Sequence, residues 1–353
     1  MSRNGREYIG TRGVLFRVHL TLTNIKMACP IRLGLCCCID TLRHKKNINN
    51  PFGRDVYGSR TFTLKTMEAK GIEYVRSVVL QNLEDTLLML EWAHSNGIRV
   101  FRLTSDLFPH KSNPKAPFDY GYDFAKELLW EIGEFARQHS MRLTFHPGQY
   151  NCIGTPHPHV FENTAKELEY HATVLNLIGM GPDSVLVVHG GGLYGDKEAT
   201  IKRWCVQFHQ LPQCVKSRLV IENCEKSFSV KDCIRISKAV CIPVVFDSHH
   251  HECYMLLHPG TTDVSYDPTE YMEEVIKSWT PRGARVKMHV SEQDPEKRCG
   301  AHSYLVEKLP DYMLSIYSKF GVEIDVYVEA KGKELAWFHL YDKYRHLMQP
   351  GSF

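Results

Sequence analysis

Eight short apolar runs, each followed by a longer amphipathic stretch, constrain this chain more than any other feature. The runs are IRLGLC (31–36), IRVFRL (98–103), MRLTFH (141–146), SVLVVH (184–189), RLVIE (218–222), IPVVFD (242–247), RVKMHV (285–290) and DVYVEA (325–330). Apolar residues at helical spacing mark 72–97, where a Gly ends the pattern, and roughly 121–140, 159–180, 196–210, 229–240, 269–279, 304–320 and 333–348. A strand–helix unit repeated eight times predicts an α/β fold, a single-domain (β/α)8 TIM barrel. A doubly wound open sheet shares the alternation, but it gathers ligands at one crevice.

The runs also end alike. His146, His189, Glu222, Asp247, His289 and Glu329 each lie at, or within a residue of, the end of a run. A barrel brings the C-terminal ends of its strands to one mouth, where active sites of this fold lie. Imidazole and carboxylate donors from several strands suit a catalytic zinc or manganese site. His250 follows Asp247 by three residues, and His302 follows the seventh run. Eight N/O donors exceed what one ion takes, so two or three divalent ions with bridging carboxylates are expected. Such clusters can clamp both oxygens of a phosphodiester displacement.

Composition narrows the class. The 353 residues are 43% hydrophobic and 24% charged with a net charge of +3, as in a soluble globular protein and without the strong basicity of an obvious nucleic-acid binder. No apolar run is long enough for a membrane span. The 12 cysteines include no CxxC pair, which argues against a zinc ribbon; they read as buried thiols of an intracellular protein. Residues 1–30 carry Arg3, Arg6, Arg12, Arg17 and Lys26 against Glu7. They read as a basic extension, with a targeting peptide, a disordered arm, or a start at Met27 as the alternatives. The barrel domain is expected to span 31–350. An insertion at 40–71, with Arg43, His44, Lys45, Lys46, Arg54, Arg60, Lys65 and Lys70, reads as a rim loop that either holds phosphates or is simply solvated.

Three further motifs bear on chemistry. HGGGLYGDK (189–197) lacks the GxSxG partner of a lipase, so its glycines either approach a phosphate or free His189 to face the metals. In HPGQY (146–150), Gln149 and Tyr150 either probe a displaced base or belong to an ordinary loop. Lys287 shares the inward face of its strand with His289. An unpaired ammonium beside metal ions is costly, so Lys287 should pair with a carboxylate, lie away from the cations, or be modified.

Taken in order, IRLG (31–34), VFRLTSDLFP (100–109), LTFHPGQY (143–150), LVVHGGGLYGDK (186–197), LVIEN (219–223), PVVFDSHHH (243–251), VKMHVSEQDPEKRCGAH (286–302) and VEAKGKE (328–334) resemble the ultraviolet-damage endonuclease family. The resemblance implies a TIM barrel related to the endonuclease IV group. It also implies a metal-dependent nick immediately 5′ of cyclobutane dimers, 6-4 photoproducts and some abasic sites, leaving a 3′-hydroxyl and a 5′-phosphate. The implied metal is Mn2+, with Mg2+, Co2+ or Zn2+ as alternatives, and the implied partner is double-stranded DNA with ultraviolet lesions, met by a monomer in cytoplasm, nucleus or mitochondrion.

The family's metal ligands match His146, His189, Glu222, Asp247, His250, His289, His302 and Glu329. The catalytic group is expected to be Glu222, Lys287 and His289, with Lys287 at a lysine that the family can carry in modified form. Gln149 and Tyr150 match the pair that probes the lesion. The pattern departs at Leu35, where the family has Tyr, at Ile39, where it has Asn, and at Asn113, where it has His; Leu35 and Asn113 are the expected lesion-side contacts. The rival readings are a metal-dependent sugar isomerase or epimerase on the same fold, an abasic-site endonuclease without photoproduct preference, and a damage-binding protein with a decayed centre.

Overall fold

Eight parallel strands hydrogen-bond in the order β3-β2-β1-β8-β7-β6-β5-β4. This computed structural model describes residues 30–348, so the expectations for residues 1–29 and 349–353 lie outside it. The strands are β1 (Ile31–Cys36), β2 (Val100–Arg102), β3 (Arg142–Thr144), β4 (Leu186–His189), β5 (Leu219–Glu222), β6 (Val244–Asp247), β7 (Val286–Val290) and β8 (Ile324–Val328). The two ends of the sheet meet through one bridge, Phe145 to Leu186, which closes the expected barrel.

Side-chain alternation sorts each strand into an outer and an inner set. Leu33, Leu35, Met288, Val326 and Val328 join the main core that packs the helices onto the barrel. The inner set is unusually polar and is stacked in layers. At the bottom, Asp325 is fully buried and accepts hydrogen bonds from Arg32, Arg142 and Arg285. In the middle layer Tyr327 receives a 3.0 Å hydrogen bond from the Thr144 hydroxyl, and its ring lies against Gly34. A Cβ at Gly34 would come within 2.9 Å of that ring, so the position requires glycine. The Lys287 ammonium also lies over the Tyr327 ring. The top layer opens into the mouth.

The insertion differs from its expectation. Its last part is helical: within Leu64–Ser95 a short helical segment, with Thr63 capping its start, is joined to the long helix at Gly71, where the backbone is non-helical with φ of 72°. The preceding loop is tied down. The Glu334 carboxylate accepts the Asp40 and Thr41 N–H groups at 2.9 and 2.6 Å. Buried Asp85 accepts from Arg54, from the Tyr57 and Gly58 N–H groups, and from Arg60. Arg54 and Arg60 are thus engaged within the protein, while His44, Lys45 and Lys46 remain exposed. The helix expected over 304–320 is reduced to Asp311–Leu314 and Ile316–Phe320. The helix Ser248–Leu257, absent from the expected set, begins at the strand-ending Asp247, whose carboxylate accepts the His250 N–H at 2.7 Å.

Candidate metal centre

Six of the eight expected ligands crowd around a seventh, the carboxylate of Glu222. Glu222 ends β5 with no exposed surface. One of its oxygens lies 2.8 Å from His146 Nε2 and 3.8 Å from His189 Nε2. The other lies 2.7 Å from His289 Nδ1 and 3.6 Å from His250 Nδ1. Asp247 Oδ2 is 3.7 Å from His250 Nδ1 and 3.9 Å from His289 Nδ1. Glu329 Oε1 is 3.3 Å from His289 Nδ1. The donor atoms form three groups that could each hold an ion: His146–Glu222–His289, Glu222–Asp247–His250 and Asp247–His289–Glu329. His302 stands apart from these groups, with its ring centre 6.4 Å from that of His250 and 5.6 Å from that of His249.

The electrostatics fit a cation. Three carboxylates converge in a space shielded from water. Burial pushes the Glu222 carboxyl well above its usual range. Burial alone would depress His250, but Asp247, Glu222, Glu329 and Glu225 outweigh it and raise its imidazole to about 9. Both shifts mean that this cluster draws in positive charge. His146, by contrast, is depressed to about 4, first by burial and then by Arg102, and burial likewise holds His189 and His289 well below the usual range. Neutral imidazoles offer the lone pair that a metal needs. Asp247 Oδ2, His189 Nδ1 and His289 Nε2 are buried without a hydrogen-bond partner, a costly state that coordination would relieve for the atoms facing an ion.

Several supporting residues escaped the sequence reading. Arg102, at the end of β2, pairs with Glu329 and donates a 3.1 Å bond to Cys37 Sγ. Burial opposes ionisation of Glu329, but Arg102 and neighbouring imidazoles overcome it and hold the carboxyl well below its usual range. Inward parity alone could have flagged Arg102. Asn223, the residue after Glu222, bonds the Asp247 backbone at both ends of its amide, 2.9 Å each, and its carbonyl lies 3.0 Å from His250 Nδ1. It locks two ligand-bearing strands in register. The LVIEN motif contained it without assigning it this role.

Lys287 lies over the Tyr327 ring and its ammonium nitrogen has no hydrogen-bond partner, so the carboxylate pairing among its expected states is not formed. Its charge still adds to burial in depressing His289. Burial lowers its pKa well below the usual lysine value.

The expected lesion-side contacts divide. Gln149 and Tyr150 are exposed at the rim, Tyr150 at 84%. Asn113 lines a cleft of about 500 Å3 with Tyr150, Gly148 and Glu167, and its amide lies 3.2 Å from His110 Nδ1. Leu35 must be corrected. Arg32, Gly34 and Cys36 take the inner face of β1, so Leu35 points out into the helix-packing core with no exposed surface, and Ile39 is equally buried. Neither presents a surface to a ligand.

Comparison with known proteins agrees with this geometry. The model of the family described as "UV-endonuclease UvdE" matches residues 31–351. The UV DNA damage endonuclease of Bacillus mycoides is 32% identical over 286 residues, covering 79% of this chain and 86% of that protein. The UV-damage endonuclease of Schizosaccharomyces pombe is 34% identical over 323 residues, covering 89% of this chain and 50% of that longer protein. Thus the chain spans about half the length of this fungal relative. The crystal structure of SacUVDE superposes with a TM-score of 0.75 at 28% identity, covering 90% of this chain and 99% of the other. Endonuclease IV from Thermus thermophilus shares the fold, with a TM-score of 0.52 at 13% identity, covering 90% of this chain and 98% of the other.

Proposed function

Because the chain belongs to the UV-endonuclease UvdE family, we propose that it is a metal-dependent endonuclease that nicks duplex DNA immediately 5′ of ultraviolet photoproducts, and of some abasic sites, to start excision repair. The products are a 3′-hydroxyl and a 5′-phosphate. The observation that carries the reading is the convergence of Glu222, Asp247 and Glu329 with buried neutral imidazoles, open to a rim that displays Gln149 and Tyr150.

His146, His189, Glu222, Asp247, His289 and Glu329 would hold the ions, with the central Glu222 carboxylate shared among the donor groups. His250 and His302 would hold a third, more exchangeable ion. Mn2+ suits this N/O donor set, and Mg2+, Co2+ or Zn2+ are alternatives. When bound, such ions supply Lewis acidity and activated water at neutral pH. The chain's own contribution is positional. Arg102 keeps Glu329 ionised and aimed inward, Asn223 fixes Asp247 and His250, and the Tyr327 layer with Lys287 forms the floor. A lesion weakens base pairing, so extruding it costs less than extruding an intact pair by up to a few kcal/mol. Gln149 and Tyr150 stand at the rim to occupy the space that extrusion leaves.

The test is a duplex carrying one defined cyclobutane dimer, incubated with the purified chain and Mn2+, with product ends mapped. A cut immediately 5′ of the dimer, lost with chelator and restored by Mn2+, is expected. Folded, metal-loaded protein that leaves the duplex intact would refute the reading.

A further inference from the structure

The loop between β7 and β8 carries an aromatic side chain that the preceding account does not use. Tyr304 is 59% exposed, although it sits only two residues after His302. Its backbone is held firmly. Lys331 N–H donates to the Ser303 carbonyl at 3.0 Å, and Gly332 N–H donates to the Tyr304 carbonyl at 2.8 Å. Ser303 N–H in turn donates to the Glu292 carbonyl at 2.8 Å, and Gln293 bridges to His302. The loop is therefore laced to the segment directly beyond Glu329, at the mouth. The ring rests on Gly332: a Cβ there would stand 2.6 Å from the Tyr304 carbonyl oxygen and 3.2 Å from the ring. Only glycine lets the ring settle in this place.

Strand order gives the position its meaning. Tyr150 follows β3, and Tyr304 follows β7. In the order β3-β2-β1-β8-β7, β7 lies four steps from β3, and β8, after which Gly332 carries the ring, lies three, close to half the circumference of an eight-stranded barrel. These two exposed rings therefore belong to widely separated parts of the barrel mouth. Aromatic faces beside a cationic or metal-lined groove are platforms for nucleobases, because every base has a π-face to stack. Trp130 is similarly exposed, at 58%, but it lies on the outer helix Lys126–Gln138, away from the mouth.

We propose that Tyr304 is a second base-stacking platform, which receives an unstacked nucleobase on the β7–β8 side of the centre while Tyr150 acts on the β3 side. This deepens the endonuclease reading and rests on it. One stacked base contributes about 1–3 kcal/mol, which is about 5- to 150-fold in affinity.

The experiment uses a dimer-containing duplex with 2-aminopurine placed in turn at each position flanking the dimer, and follows binding in a Glu222→Gln background by anisotropy and base fluorescence. Tyr304→Ala should weaken binding within that range and release the quenching of 2-aminopurine at one position. Tyr304→Phe should recover most of both, and Trp130→Ala should change neither. Equal affinity and equal quenching for the Tyr304→Ala and Tyr304 proteins, with Mn2+-dependent nicking intact when Glu222 is present, would overturn the platform and leave the endonuclease reading standing. Absence of nicking by the unsubstituted chain would overturn both.

Discussion

Asp325→Asn is the substitution that most directly tests the layered interior. The carboxylate is fully buried, and it meets Arg32 through two bonds of 2.7 and 2.8 Å, Arg142 at 2.8 Å and Arg285 at 2.8 Å. Asparagine keeps the shape but removes the charge and turns an amide donor toward guanidinium donors. Three cations then share one interior layer, where Glu323 still pairs with Arg285. Breaking a buried pair by removing one partner costs about 3–5 kcal/mol. Arg32 and Arg285 retain 24% and 17% side-chain exposure, which places the expected loss toward the lower end of that range, about 3–4 kcal/mol.

The pH dependence has a definite sign. Burial alone would raise the Asp325 pKa, but Arg32, Arg142 and Arg285 hold it well below the usual carboxylate range. A depressed folded-state pKa gives stability that is complete above the unfolded value of about 3.9 and is lost as pH falls below it. Urea unfolding followed by circular dichroism should therefore show the same wild-type-minus-variant difference at pH 7 and pH 5, and a smaller one near pH 3.5. Four residues of strand, about 13 Å, separate this layer from Glu329, so nicking by the folded variant should stay within about twofold of wild type. A difference under about 1 kcal/mol at pH 7, or one that grows on acidification, would refute the account of the bottom layer.

The mouth yields three further expectations. Glu222→Gln should reduce nicking by more than the roughly 10- to 100-fold usual for a residue that only orients a ligand, while damaged-duplex binding measured in chelator stays near wild type; retained nicking would remove Glu222 from the bridging position. Gly190→Ala would put a methyl group into the space of the Phe228 ring, directly after His189. It should cost about 1–3 kcal/mol of stability through overpacking and weaken Mn2+ affinity measured by calorimetry; unchanged affinity would show that His189 does not hold the ion. Tyr150→Ala should lower the preference for damaged over intact duplex by about 5-fold or more, and an unchanged preference in competition binding would exclude the probing role.

Much of this was legible in the sequence because chemistry and packing pull residues in opposite directions. An apolar run that stops on His, Asp or Glu violates the pattern of a buried strand, and that violation located the centre. β1 coincides with its expected run, while β2 and β3 are shorter because the flanking residues leave the ladder. Three misses have physical causes. The helical turns at 64–70 lie in the expected loop, because Gly71 leaves helical geometry and separates them from the expected helix that starts at Ile72. The helix beginning at Ser248 was hidden by the run of histidines that serves the site. Leu35 was given a contact role from its place in a motif, although strand alternation puts it on the helix side. Arg54 and Arg60 show the limit of counting charge, since their partner Asp85 lies on a separate helix that composition does not connect to the loop.

The barrel is zipped by continuous ladders except between β3 and β4, where Phe145 alone bridges to Leu186. Such a seam is the first place for backbone amides to exchange with solvent. His146 and His189 stand one on each side of it, and both face Glu222. An ion shared by these two rings would rivet the weakest joint in the wall. Metal loading should then slow amide exchange most around Phe145 and Val187, and a loss of metal would loosen the wall itself as well as the chemistry inside it.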